Sequence, residues 1–366
     1  MRRNETTSSN NPVRSSSSVF WRRFKKNRVS VAGLLIIGLL YFASVFAGFI
    51  APYSQSRQNR ELFYHPPMRI HFIDSNGKFH LRPFVYRTVV VNESIPEYAE
   101  DMSIRYPIRF LVRGDEYSLF FVFRSTLHLY GVDEPGRIFL LGTDVFGRDI
   151  ASRLLFGSQI SLSIGIVGII LTFLLGMMIG GISGYFGGVV DVVLMRVTEL
   201  LMSIPTLYLI LALRATIPAS VPSTRMYLII VVILSLIGWA SISRIIRGMV
   251  LSIREEEYVL AAKALGLGSM RIIIRHILPN TFSFVIVAAT VTIPGYILGE
   301  VALSFLGFGI QEPQSSWGLM LKEAQSIRVL TSYPWILAPG FFIFITVLAF
   351  NFLGDGLRDI LDPKYR

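Results

Sequence analysis

The feature that most constrains this chain is a set of long stretches without a single charged residue. No Asp, Glu, Lys or Arg occurs between Arg28 and Arg57, or between Arg153 and Asp191. The same holds between Arg225 and Arg244, between His276 and Glu300, and between Arg328 and Asp355. A helix needs roughly 20 apolar residues to cross a ~30 Å hydrocarbon core at ~1.5 Å per residue, and each gap can hold such a helix. A sixth stretch, about 192–213, is apolar apart from Arg196 and Glu199. The chain therefore reads as an all-α polytopic membrane protein with six transmembrane helices. Its 16% charged residues fit that reading, since a soluble domain carries roughly a quarter.

The formal net charge of +11 would suit a nucleic-acid binder, but the placement of the basic residues points to a membrane instead. Eight Lys and Arg precede the first apolar stretch, among them Arg22, Arg23, Lys25, Lys26 and Arg28. Six more, Arg244, Arg247, Arg254, Lys263, Arg271 and Arg275, fall between the fourth and fifth stretches. Three, Arg358, Lys364 and Arg366, follow the sixth. With six spans all three clusters lie on one side, which the positive-inside rule makes the cytoplasm. Both termini are expected there. The short outer loops carry only Arg214 and Arg225, then Lys322 and Arg328. Cysteine is absent, so thiolate chemistry and disulfides are excluded. The first apolar stretch is too long, and its basic leader too extended, for a signal peptide.

Along the chain, 1–28 reads as a cytoplasmic tail, polar and disordered over 1–19, with Trp21 and the basic residues after it at the interface. The first helix is expected at 29–51. A polar insert follows at 52–140, extracytoplasmic by topology and β-rich. Met68, Ile70 and Phe72 alternate with other residues before Asp74-Ser75-Asn76-Gly77 and then Phe79 and Leu81, a hairpin pattern with turn chemistry at its tip. Further strands are expected at 84–91, 108–113 and 119–124. His65, His71, His80 and His128 lie in the insert without a metal-ligand spacing. The stretch 141–157 reads as a glycine-rich turn around Asp144, Arg148 and Asp149, then a short amphipathic helix lying at the interface. A five-helix core is expected at 158–354, and a cytoplasmic tail at 355–366.

The most informative segment is the loop 252–280 between the fourth and fifth helices. Ser252 with Glu255 forms a capping-box pattern, and Glu255, Glu256 and Glu257 are expected in the first helical turn, where the helix dipole favours acids. Val259, Ala261, Ala262, Ala264 and Leu265 favour helix, and Gly266 and Gly268 are natural stops. A second short helix, about 270–277, leads to Pro279. Ala261 and Ala262 are expected to leave a smooth surface that another protein can approach.

The order of residues in that loop resembles the EAA loop of bacterial binding-protein-dependent ABC permeases, with Ala261, Ala262, Gly266, Leu278 and Pro279 at the motif positions. Leu260 stands where the family has glutamate, and His276 where it has isoleucine. Three more segments are similar to the dipeptide and oligopeptide branch, which also includes nickel permeases. They are Gly142-Thr143-Asp144 with Gly147-Arg148-Asp149, Leu303-Ser304-Phe305-Leu306-Gly307-Phe308-Gly309, and Phe350-Asn351-Phe352-Leu353-Gly354-Asp355-Gly356 with Asp362-Pro363. The resemblance implies a type I ABC importer fold and a permease subunit that carries peptides by alternating access. The EAA loop would then be a coupling helix seated in a partner ATPase. It also implies a second permease subunit, two cytoplasmic ABC ATPases that use ATP and Mg, an extracytoplasmic solute-binding protein, and a bacterial or archaeal inner-membrane location. The chain itself is expected to bind no cofactor and to be no enzyme. It has no G-x-x-x-x-G-K-[ST] phosphate loop, so a motor must come from elsewhere.

Arg196 and Glu199 share a helix face and can pair, and Glu300 sits late in the fifth helix. Ionisable groups at such depth either line a transport path or tie helices together. Pro205, Pro294 and Pro339 are expected to kink their helices. Gly176, Gly180, Gly181 and Gly184 form a small-residue face for close packing. Transport of nickel or another small solute is the alternative within the class. An ion-gradient-driven secondary transporter would carry inverted repeats, which this chain lacks.

Overall fold

The computed structural model describes residues 16–92, 97–119, 123–218 and 221–361. The tail 1–15 and the C-terminal Asp362, Pro363, Lys364 and Arg366 lie outside them.

Helix α1 (Ser16–Lys26) begins inside the stretch expected to be disordered. Asn27 then caps α2 (Arg28–Val45) by accepting from the Ser30 amide, and a short α3 (Ala47–Ile50) completes the first crossing.

The insert is two small antiparallel sheets. Strands β1 (His71–Ile73), β2 (Phe79–Asn92) and β3 (Glu97–Pro107) form one in that order, and β4 (Arg109–Leu119) with β5 (Phe123–Gly131) form the other. The β1–β2 hairpin is the expected one. The Asp74 carboxylate accepts from the Asn76 and Lys78 amides, and Gly77 takes φ +78. Strand β3 went unread because Glu97, Glu100 and Asp101 break any clean alternation. Of 119–124, expected as one strand, Leu119 ends β4, Phe123 and Arg124 begin β5, Leu119 pairs with Phe123, and 120–122 lie outside the described residues. Tyr53, Val85, Ile108, Ile138 and Phe139 make a core separate from that of the helices. The four histidines are apart: His65 meets Thr88, His71 Glu100, His80 Asp74, and His128 the Ala51 and Asp115 carbonyls. Burial pushes His65 down to about 4.

Asp149 caps α4 (Ile150–Phe186), its carboxylate accepting from the Ser152 amide. This helix is continuous for 37 residues, so 150–157 is not a separate interfacial helix. The reason is that Arg153 and Ser152, taken as its polar face, are buried against other protein groups. Next come α5 (Gly188–Ser203) and α6 (Thr206–Ala215), which meet at 90°. Pro205 therefore breaks this span rather than kinking it, because it lacks an amide proton to continue the helix. Helix α7 (Ser223–Ile253) packs along α4. A Cβ at Gly184 would lie 2.8 Å from the Arg247 carbonyl, and one at Gly176 2.7 Å from Ile242. Glycine is what lets the two backbones meet.

After α8 (Glu257–Ala264) the chain runs through α9 (Ser269–Ile272), a π turn at Ile273–Ile277 and a 3-10 turn at Leu278–Thr281 into α10 (Phe282–Phe305). The expected second short helix is thus the start of the fifth span. Pro279 has no amide proton, and the Leu278 amide reaches back to the Ile273 carbonyl, so the helix widens before it resumes. Pro294 sits inside α10 without breaking it. Helices α11 (Trp317–Leu321) and α12 (Ile327–Ser332) lead to α13 (Ala338–Leu361). Pro339 falls in the first turn of α13, where a missing amide proton costs no helical bond. Among the described residues, five helical segments are long and apolar enough to cross a membrane, and the bent α5–α6 pair, counted as one span, makes six.

Candidate functional site

The loop singled out by sequence lies at the end of the bundle away from the insert. Ser252 is still inside α7, and α8 starts at Glu257 with no side-chain cap, so the expected capping box does not form. Tight turns carry the chain from one helix to the next: the Glu255 amide reaches the Ser252 carbonyl and the Glu256 amide reaches Ile253. Of the three glutamates only Glu257 occupies the first turn of α8.

Gly266 ends α8. Its φ of +78 belongs to the left-handed region. There its amide donates to the Lys263 carbonyl, and the Leu267 amide to Ala262, the paired bonds of a glycine C-cap. Nothing lies within 4 Å of a Cβ built on Gly266, so backbone conformation alone selects glycine.

Val259 and Ala262 are buried with Ile272, Ile273, Ile277 and Leu278 in the helical core. Ala262 is therefore not part of an outer surface; the exposed face carries Leu260, Ala261 and Leu265. The inward stripe of α8 carries Val259 and Ala262, three residues apart, and Ala261 falls outside it. Pro279 is exposed. Asn280 holds the far side by donating to the Tyr258 hydroxyl at 3.0 Å and to the His276 carbonyl at 2.7 Å.

The membrane charges fall elsewhere. Arg196 and Glu199 pair at 2.9 Å with 77% and 46% of their side chains exposed, and Arg244 on α7 lies 3.7 Å from Glu199. Glu300 is fully buried. It accepts from Ser161 at 2.9 Å and Ser304 at 2.7 Å. Those serines in turn accept the Trp317 and Ile310 amides, so Glu300 ties α4 and α10 to the loop that follows.

A cluster that sequence reading missed sits beside the insert. Asp144 accepts from the Phe146 and Arg148 amides and from Arg148 Nε at 2.7 Å. Arg148 also donates to Glu312 at 2.6 Å, and Arg153 donates to Glu312 at 3.1 Å. Both arginine side chains are under 5% exposed. Burial alone would raise Glu312, but the two guanidinium groups hold it below its ordinary range. Among the described residues Glu323 accepts the Val145 amide alone, and burial pushes it up to about 7. Asp144 and Asp149 match Arg148 and Arg153 in number along the sequence, so no local charge imbalance pointed to Glu312.

Residues 173–366 match the family described as binding-protein-dependent transport system inner membrane component. Residues 15–67 match the N-terminal transmembrane domain of oligopeptide transport permease C. The dipeptide transport system permease protein DppC of Bacillus subtilis is 33% identical over 363 residues, 99% of this chain and 90% of that protein. The oligopeptide permease protein OppC of the same organism is 39% identical over 244 residues, 66% of this chain and 77% of that protein. OppC of Haemophilus influenzae is 42% identical over 226 residues, 62% of this chain and 70% of that protein. Together, the two family matches and a relative aligned along almost the whole chain place this protein in the OppC/DppC-type peptide permease family, as a multi-pass inner membrane component of binding-protein-dependent transport.

Proposed function

We propose that this chain forms part of a translocation pathway for peptides and that partner ATPases drive it through the α8–Gly266–α9 loop. The family does not itself hydrolyse ATP and works with a binding protein and ATPase partners. On this reading two ATPase subunits, using ATP and Mg, press on paired permeases, of which this chain is one. The observation that carries the proposal is the shape of the loop. A two-turn helix ended by Gly266 projects from the bundle with Leu260, Ala261 and Leu265 facing away from it. Apolar side chains at the end of a membrane bundle favour a protein partner. The basic clusters support a cytoplasmic location for this end and for both termini.

Arg196 and Glu199 support a place for α5 along the path. An exposed ion pair on a membrane span faces water or protein rather than lipid. Glu300, fully buried and bonded to serines, is read as a structural tie. The insert, on the opposite side, is proposed to meet the binding protein or cap the outer mouth. Deleting 66–132 is expected to weaken binding-protein docking, and unchanged docking and uptake would remove that role.

The principal test is Gly266→Asp in the assembled transporter. Uptake should be lost while the protein stays folded in the membrane, because the side chain points into open space but strains the turn. Normal ATP-dependent uptake by that variant would overturn the coupling role.

A further inference from the structure

A coupling loop is useful only if its movement reaches the helices that line the path, and two arginines of α7 make that connection. Arg247 and Arg254 are seven residues apart, two helical turns, and so lie on one face of α7. Arg247 makes a two-pronged ion pair with Asp191 in the first turn of α5, and Asp191 also accepts from Ser183 of α4. Arg254, the last residue before the turns into α8, donates to the Gly184 carbonyl at 2.9 Å and the Tyr185 carbonyl at 3.4 Å. These are terminal carbonyls of a 37-residue helix, where the helix dipole concentrates negative charge and a guanidinium is favoured. Between the two anchors lies the α4–α5 corner, Gly187 and Gly188, with φ of +63 and +55.

The surroundings separate what is fixed from what can move. Gly176, Gly180 and Gly184 lock α4 against α7 along the lower half of both helices. Helix α5 has no such seam: Val189, Val192, Val193, Val197 and Leu200 are exposed, and Thr198 is its one fully buried residue. It hangs from the double-glycine corner, held at its start by Asp191 and further along by the exposed Glu199–Arg244 pair at 3.7 Å.

We infer that Arg254 is a positioning residue, which with the Asp191–Arg247 pair transmits displacement of the α8 loop to α5 across the Gly187–Gly188 hinge. This rests on the coupling-loop reading above. Arg254 offers a direct route for movement of α8, because that residue joins α7 to the turns before α8 and also grips the corner from which α5 departs. The guanidinium is needed for its geometry and its charge: one nitrogen spans two carbonyls while Nε meets Glu255 at 2.9 Å.

The test uses the complete transporter, with its binding protein, second permease and ATPases, in liposomes. This chain has no cysteine, so with cysteine-free partner subunits, spin labels placed by Met270→Cys and Leu200→Cys, both at exposed positions, report the loop-to-α5 distance. Adding ATP with vanadate should shift that distance in the otherwise unsubstituted chain. Arg254→Ala should abolish the shift and lower uptake of a radiolabelled alanine tripeptide per ATP hydrolysed by about tenfold, while ATPase subunits remain bound. Arg254→Lys, which keeps the charge, should restore part of both. Should Arg254→Ala fail to accumulate, Arg254→Gln, close in size and still a donor, is read in the same assay. A full shift and normal uptake per ATP in either uncharged variant would overturn the inference, even where Gly266→Asp abolishes uptake. If the distance stays fixed in the unsubstituted chain and Gly266→Asp transports normally, it is the coupling-loop reading that fails.

Discussion

The insert end of the helical bundle and the α8 loop at the other end are held by different means. Beside the insert, Asp144, Arg148, Arg153 and Glu312 form a mostly buried ionic knot that joins the start of α4 to the loop after α10. At the other end, α8 is held by a thin apolar stripe, a glycine turn and a few hydrogen bonds, with Leu260 and Leu265 left exposed. Buried charges satisfied by one another resist separation, since parting them strands a charge in a medium that cannot solvate it. A small apolar contact can be lifted or re-seated at little cost. The contrast implies that the first end keeps its geometry while the second moves.

The sharpest way to break this comparison is Arg148→Ala. It leaves the buried Asp144 short of its main partner and should destabilise the protein by about 3 kcal/mol, read as a clear drop in melting temperature in detergent. A drop no larger than that of a surface variant would show that the knot is not the rigid end. Next comes Gly266→Ala. A Cβ in the left-handed region costs about 1 kcal/mol, and the loss should fall on the α8 turn, seen as faster amide exchange at Leu265 and Leu267 with the rest unchanged. Leu265→Ser is smaller still. At 83% exposure the residue should contribute under about 0.5 kcal/mol to folding, yet its replacement should weaken association with the ATPase partner. Full association would argue that the apolar face meets something else.

The last test is one of pH. Burial raises Glu323 from 4.5 to about 7, so the folded chain holds its proton over a range where the unfolded chain has lost it. Stability contributed by this group is therefore fully present below pH 4.5 and is lost as pH rises through 7. Across that window the thermal melts of Glu323→Gln should fall less with rising pH than those of the unsubstituted chain.

Much of this was legible from local pattern. The charge-free stretches located the spans, Asp74 to Gly77 announced the first hairpin, and Gly266 marked the end of α8. Each signal is complete within a few neighbouring residues. Readings that failed depended on distant ones. Ser252 suits a cap, but α7 runs on past it. Arg153 suits an interfacial face until Glu312, 159 residues away, takes it inward. Ala261 and Ala262 are alike in sequence, and only the packing of Ile272, Ile273 and Ile277 decides which of them is covered.

What the sequence determined by itself was where the chain enters lipid, where it turns and which family it resembles, because hydrophobic length, glycine conformation and motif order are properties of consecutive residues. The tertiary structure alone decided which charges pair, which side of α8 is free and how Arg254 reaches the end of α4. Those outcomes turn on atoms brought within about 3 Å from remote parts of the chain, the range at which a hydrogen bond or ion pair acts.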